Sequence, residues 1–242
     1  MNNAVFQVRV IEAPTSYVTQ NPGSTTTVAS FRAYVPPTGE RDRGGEIACT
    51  AYGKLADTLL QQVSSDCWLM LQGRLGLPDS GPPELTIGKA WPSPDLGDDP
   101  TAVSEALNSL SLVGRAGRDP EVQFFESGGS VANLTMAVNR LSRDDAPDWF
   151  KLAIWGKQAS VAADYVRKGS LLGVVGSLKF DSWTDKASGE ERCRPVVVVS
   201  RLDLLGSRRD QEGGGQVPPA RSGQASQRSS AAAPAGNSGG MW

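Results

Sequence analysis

Histidine is absent from all 242 residues. Its absence excludes Ser-His-Asp and Cys-His nucleophilic catalysis and every histidine-ligated metal site. Cysteine is scarce. Cys49, Cys67 and Cys193 are an odd, widely spaced set with no C-x-x-C, so neither a disulfide framework nor a zinc site is expected. All three lie in apolar runs and read as reduced core residues. No apolar stretch approaches the roughly 18 residues that would span a membrane. The opening run Val5-Phe6-Gln7-Val8-Arg9-Val10-Ile11 is mixed with polar residues and lacks a signal-peptide core. A reducing, cytoplasmic compartment is therefore expected. The phosphate-cradling pattern G-x-x-x-x-G-K-[ST] is missing too: all three Gly-Lys pairs lack the upstream glycine. Carboxylates are scattered over turns and converge nowhere by spacing. The expectation is a protein that is not an enzyme and has no cofactor and no metal. Charge of one sign is also lacking. With 24 Lys+Arg against 26 Asp+Glu, the net charge is −2, which argues against a uniformly basic coat but leaves room for a local basic face.

What is present divides the chain. Residues 207–242 contain 7 Gly, 3 Pro, 6 Ser, 6 Ala and 4 Gln among 36, a composition that forms no core and predicts a disordered tail. A second break falls at Pro92, Pro94 and Pro100 with Asp95, Gly97, Asp98 and Asp99, read as an acidic Pro-rich linker over 92–104. Two blocks remain, 1–91 and 105–206. They are related. A shift of 103 carries Tyr52-Gly53-Lys54 onto Trp155-Gly156-Lys157 and gives 7 identities across positions 51–75. Upstream, a shift of 106 pairs Asn2 with Asn108, Arg9 with Arg115 and Pro14 with Pro120. A period of this length means two copies of one domain and not a short-repeat solenoid.

In the second copy, alternating runs near 108–115, 130–139, 149–156, 171–180 and 194–204 predict five strands. Ala159, Ala162, Ala163 and Val166 recur at helical spacing between the third and fourth, and Gly169 follows as a stop. Ala56, Leu59, Leu60 and Val63 hold the matching places in the first copy. Five short strands with one helix between the third and fourth is the order of an OB-fold barrel. The expected class is all-β: two tandem OB-fold five-stranded barrels.

The third strand of the second copy carries the chemistry. Phe150, Leu152 and Ile154 face one side, and Trp149, Lys151, Ala153 and Trp155 face the other, because strand side chains alternate. Indoles left on a solvent face invite a ligand. Aromatic rings stack on any base, at roughly 1–3 kcal/mol each, while neighbouring cations meet phosphate, which suits single-stranded nucleic acid. Further candidates are Trp183 in the last hairpin, Phe124 after strand one, and the cations Arg115, Arg140, Arg143, Lys157, Lys168 and Lys179. Phe125 is set lower, since one of two adjacent Phe residues is expected to pack inward.

These residues carry a family resemblance. Leu112-Val113-Gly114-Arg115-Ala116-Gly117-Arg118-Asp119-Pro120-Glu121-Val122 resembles the opening of the bacterial single-stranded DNA-binding protein (SSB) family. So do Gly129-Ser130-Val131-Ala132-Asn133-Leu134, Trp149-Phe150-Lys151, Trp155-Gly156-Lys157, Tyr165-Val166-Arg167-Lys168-Gly169-Ser170 and Ser182-Trp183-Thr184-Asp185. The resemblance implies base stacking at Trp149, Trp155 and Trp183 and basic contacts from Lys151, Lys157, Lys168 and Lys179. It implies protection of single-stranded DNA during replication, recombination and repair, in a bacterial cytoplasm on the nucleoid. It also implies four assembled OB folds, hence a homodimer of this chain, with a homotetramer through the second copy as the other arrangement.

The sequence departs from the family pattern in several places. Ser142 precedes Arg143-Asp144 where a further stacking Trp often stands. The ending Gly239-Gly240-Met241-Trp242 lacks the usual acidic tip, which puts its docking of replication and repair proteins in question. In the first copy, Glu46, Ala48, Thr50 and Tyr52 replace the strand-three set, Ser65 replaces Lys168 and Gly76 replaces Lys179. That copy is expected to bind weakly or to serve assembly. Two other readings stay open: an OB-fold assembly protein of a primosome-like complex, and a single-stranded RNA binder, since stacking serves both polymers.

Overall fold

A computed structural model describes all residues except 22–23, 40–41, 79–80, 98–104, 127, 141–145, 185–190 and 207–242. The predicted tail and most of the acidic linker therefore lie outside the described residues. In the first copy the chain runs β1 (Asn2–Val10), β2 (Thr15–Asn21), β3 (Ser24–Val35), β4 (Gly45–Tyr52), α1 (Lys54–Gln62), β5 (Trp68–Gly76) and β6 (Glu84–Pro92). The second copy repeats the order: β7 (Asn108–Ala116), β8 (Glu121–Phe124), β9 (Ser130–Val138), β10 (Asp148–Trp155), α2 (Lys157–Tyr165), β11 (Leu171–Thr184) and β12 (Glu191–Leu204).

Each copy closes into a five-stranded barrel. In the first, β1 pairs with β3, β3 with β4, β4 in parallel with β6, β6 with β5, and β5 back with β1. In the second, the same circuit joins β7, β9, β10, β12 and β11. One parallel pair in an otherwise antiparallel circuit, with a helix between the third and fourth barrel strands, is the OB fold. Each copy adds one strand that the sequence pattern did not reveal, β2 and β8, which extend β3 and β9 at the two ends of a 12-stranded sheet. Among the described residues no helix is long and apolar enough to cross a membrane.

The shared residues of the two copies mark positions with little freedom. Gly53 and Gly156 both sit at φ 60 immediately before a helix, a conformation that only glycine adopts cheaply. Gly73 and Gly176 both lie at the register shift of the hairpin formed by the last two barrel strands, where a Cβ would run into the carbonyl oxygen of Thr86 or Val198. Ala56 and Ala159 are fully buried under the helices. The expected helical stripe ends slightly early. Val166 is buried, but it is the extended residue that follows α2, tied by its N–H to the Ala162 carbonyl. The core reading of the cysteines holds for Cys49 only. Cys67 is half-buried and Cys193 is exposed; Cys193 shares the strand face of buried Val197 and Val199 but lies farther out on the β12 hairpin arm, beyond the part of that face that the core covers.

The copies meet edge to edge. β1 and β7 pair antiparallel with Asn2 opposite Leu112, Ala4 opposite Leu110 and Phe6 opposite Asn108. Under the shift of 106 these pairs exchange, so the contact is isologous, as in a twofold dimer. Side chains follow the same symmetry. Asn2 donates to the Leu75 carbonyl and accepts from the Leu75 N–H, at 2.7 and 3.1 Å. Asn108 does the same with Leu178, at 2.8 Å both ways. Asp42 accepts from the Phe180 N–H at 3.3 Å and Asp148 from the Leu77 N–H at 3.2 Å. One continuous hydrophobic core, including Phe6, Leu71, Leu110 and Phe150, runs through both barrels.

Candidate nucleic-acid interface

β10 alternates as its sequence requires. Phe150, Leu152 and Ile154 are buried, while Trp149 and Trp155 are 51% and 50% exposed and Lys151 is exposed beside them. On the same face, register places Thr135 opposite Lys151, Asn133 opposite Ala153 and Val131 opposite Trp155. β8 widens this face by setting Glu121 against Asn133 and Gln123 against Val131. The chain then turns, and Phe125 stacks on Trp155 with centroids 5.8 Å apart and planes 14° from parallel. β12 and β11 supply the other wall. The result is a groove of about 630 Å³ whose floor is apolar and whose sides carry Arg118, Lys151, Lys179 and Arg194 with Glu121 and Asp181.

Two neighbours hold the aromatic residues in place. The Trp149 ring lies against Gly117, so a Cβ there would fall inside van der Waals distance of the indole and of the Thr135 hydroxyl. The Lys151 ammonium is held below the ordinary lysine range, first by partial burial and then by the Arg194 and Arg118 guanidiniums, with Asp181 acting in the opposite sense. Cations packed closely enough to disfavour one another form a surface prepared for anions.

The structure sorts the sequence-predicted residues. Trp155, Lys151 and Lys179 line the groove, and Trp149 shares the outward face of β10 with Lys151 and Trp155. Trp183 is paired along the backbone with Arg192, and its side chain lies outside the described residues, as does all of Arg143. Arg140 is bound to Asp148 at 3.0 Å. Arg115 donates to the Gly169 carbonyl at 2.9 Å. Lys157 opens α2, and Lys168 sits in the turn anchored by Asp119 through a 2.7 Å bond from its own N–H. None of these four is part of the groove wall.

The two phenylalanines are placed differently. Phe124 is 80% exposed and, by alternation, points to the opposite side of β8 from Gln123. Phe125 is the one at the groove. Neither packs inward, because β8 ends at Phe124 and the chain closes a turn in which the Phe125 N–H donates to Gly129. Sequence reasoning also passed over Arg118, Asn133, Asp181 and Arg194. The signal was parity: Arg194, Val196 and Val198 are alternate residues of one strand, and Glu121, Gln123 and Phe125 are alternate residues of another.

The first copy presents a paler version of the same face. Tyr52 is 49% exposed, and Arg32 pairs with Glu46, so that face carries a neutralised cation. The strand-three comparison left one ring there. The structure adds a second. β2 places Tyr17, also 49% exposed, across buried Val28 from Tyr52. Among the described residues, no three His, Cys, Asp or Glu side chains converge as a cation would need.

Comparison with known proteins bears on the second copy first. A model of the single-strand binding protein family matches residues 107–205. A single-stranded DNA-binding protein of Thermosynechococcus vestitus is 62% identical over 104 residues, covering 43% of this chain and 87% of the relative. Single-stranded DNA-binding protein 1 of a Synechocystis strain is 61% identical over 107 residues, covering 43% of this chain and 88% of the relative. The two-barrel arrangement has its own counterpart. The crystal structure of the single-stranded DNA-binding protein from Thermus aquaticus superposes with a TM-score of 0.57 at 21% identity, covering 91% of this chain and 98% of that one.

Proposed function

The chain belongs to the single-strand binding protein family, and from that premise we propose that the groove of the second barrel is where it takes hold of a DNA single strand. The protein binds single-stranded DNA. One observation carries the assignment of the site: the Trp155–Phe125 stack borders a groove whose walls hold four cations. Bases stack on Trp155, Phe125 and Trp149. Phosphates meet Lys151, Lys179, Arg118 and Arg194. Arg115, Lys157 and Lys168 lie off the groove and serve a strand leaving it over the turn beside α2. Binding of this kind is sequence-tolerant, since every base has a π-face. The role is passive: the strand is kept extended and unpaired while replication, recombination and repair proceed in the bacterial cytoplasm, and no bond is made or broken.

The assembly we propose is a homodimer with four barrels. The twofold-like β1–β7 pairing supports it. β1 already occupies one edge of β7, so that edge is closed to a second chain. The outer face of the central strands, with half-buried Val5, Met70, Val113 and Val175 among polar residues, remains for a second chain. The first barrel, with two tyrosines and a neutralised cation, contributes assembly first and weak stacking second.

A titration tests this. Intrinsic tryptophan fluorescence is followed with oligo-dT, oligo-U and duplex DNA at two salt concentrations. Strong quenching by oligo-dT, weaker duplex binding and an affinity that falls with salt are expected. No quenching by either single strand would favour the assembly-protein reading, and preference for oligo-U the RNA reading.

A further inference from the structure

Carboxylates stand inside the groove that receives the phosphates. Arg118 donates to Glu121 at 2.7 Å, a tight pair on the rim from residues three apart. Asp181 is different. It lies in the groove wall on β11, opposite Arg194 in the β11–β12 register, with its carboxylate 3.9 Å from the Arg194 guanidinium. That separation is a charge contact without a close hydrogen bond, and both side chains are about half exposed. The same carboxylate acts on Lys151, which also feels Arg194 and Arg118. Arg118 is held by Glu121, and Asp181 is the groove carboxylate that acts on both Arg194 and Lys151.

We propose that Asp181 is an internal competitor for the bound strand: it occupies Arg194 in the free protein, must yield it to a phosphate when DNA enters, and thereby limits affinity. The inference rests on the single-strand reading of the groove. A diester phosphate and a carboxylate carry the same charge and seek the same guanidinium hydrogens, so binding at this point is an exchange of one anion for another. An exchange gains less than the filling of an open cation site, and it leaves an anion beside the strand that favours release.

The test uses the full-length protein and a dT oligonucleotide followed by tryptophan quenching. Asp181→Asn removes the charge and keeps the shape. It is expected to tighten binding about 3- to 10-fold at low salt, with the gain shrinking as salt screens the groove. The slope of log K against log salt becomes steeper by up to about 0.7, because the net positive charge that the groove turns to the phosphates rises by one. Asp181→Glu keeps wild-type affinity within about twofold. Asp203→Asn changes the net charge equally at a carboxylate that is paired with Arg201 and does not line the groove, and it leaves binding unchanged. In an Arg194→Gln background the gain from Asp181→Asn is largely lost, which isolates the pair. An unchanged or weaker Asp181→Asn, an equal gain in the Arg194→Gln background, or the same gain from Asp203→Asn would overturn the proposal while wild-type binding stands. Failure of the wild-type protein to bind the oligonucleotide would overturn the single-strand reading and this inference together.

Discussion

Arg74 of the first barrel reaches Asp148 of the second at 2.9 Å, and Asp148 is 1% exposed. The same carboxylate holds Arg140 at 3.0 Å and accepts the Leu77 N–H at 3.2 Å. A buried charge with three partners, two of them contributed by the other copy, ties the barrels at the mouth of the β9–β10 loop. Removing the carboxylate leaves Arg74, itself only 21% exposed, without its anion. Asp148→Asn is expected to cost about 1–3 kcal/mol of unfolding free energy. Arg74→Met should cost less, since Asp148 keeps Arg140. Urea unfolding measures both, and a wild-type midpoint for Asp148→Asn would contradict the tie.

Trp149 depends on the absence of a side chain beneath it. Gly117→Ala puts a methyl group against the indole at a position whose φ is not among the positive ones, so the backbone tolerates it and the ring must move. Weaker oligo-dT binding is expected, by about 5- to 10-fold, within the range that loss of one stacking contact spans. The melting temperature should change little. A variant with normal affinity would mean that Trp149 plays no part in holding the strand.

Trp155 and Phe125 act as one platform. Each alanine substitution is expected to cost about 1–3 kcal/mol of binding. The double variant should cost clearly less than the two single losses added, because Phe125 is positioned by the ring it stacks on. Strict additivity in the titrations would show the rings to be independent.

The surroundings of Lys151 predict a pH dependence. Burial and the neighbouring guanidiniums lower its pKa from 10.5. Below the lowered value it is charged and contributes to binding, and as pH rises through that value the contribution is lost. Affinity for oligo-dT should therefore begin to fall at a pH below the ordinary lysine range. Lys151→Gln should bind more weakly at neutral pH and lose this part of the profile. An unaltered profile in the variant would assign the titration elsewhere.

The first barrel should matter less for binding than the second. Tyr17→Ala and Tyr52→Ala in the full-length chain are expected to weaken oligo-dT binding by no more than about threefold each. That is well below the loss on truncating Trp155, because the phenol rings stand beside a cation, Arg32, that Glu46 already neutralises. Losses equal to that of Trp155→Ala would make the two barrels equal partners.

Sequence alone determined the barrel circuit and the duplication. Local rules govern both: period-two alternation decides which side of β10 carries Trp149, Lys151 and Trp155, and backbone geometry demands glycine at 53, 73, 156 and 176 in both copies. It also sufficed to exclude histidine chemistry, since a missing residue is missing in any fold. Tertiary structure decided what alternation cannot reach. β8 had to be laid on β9 before Phe125 met Trp155, and β11 on β12 before Asp181 faced Arg194, because register between paired strands is set by which face each must bury and not by alternation within either strand alone. Likewise only the tertiary structure set Arg140 beside Asp148, because a carboxylate buried between two barrels needs cations as partners.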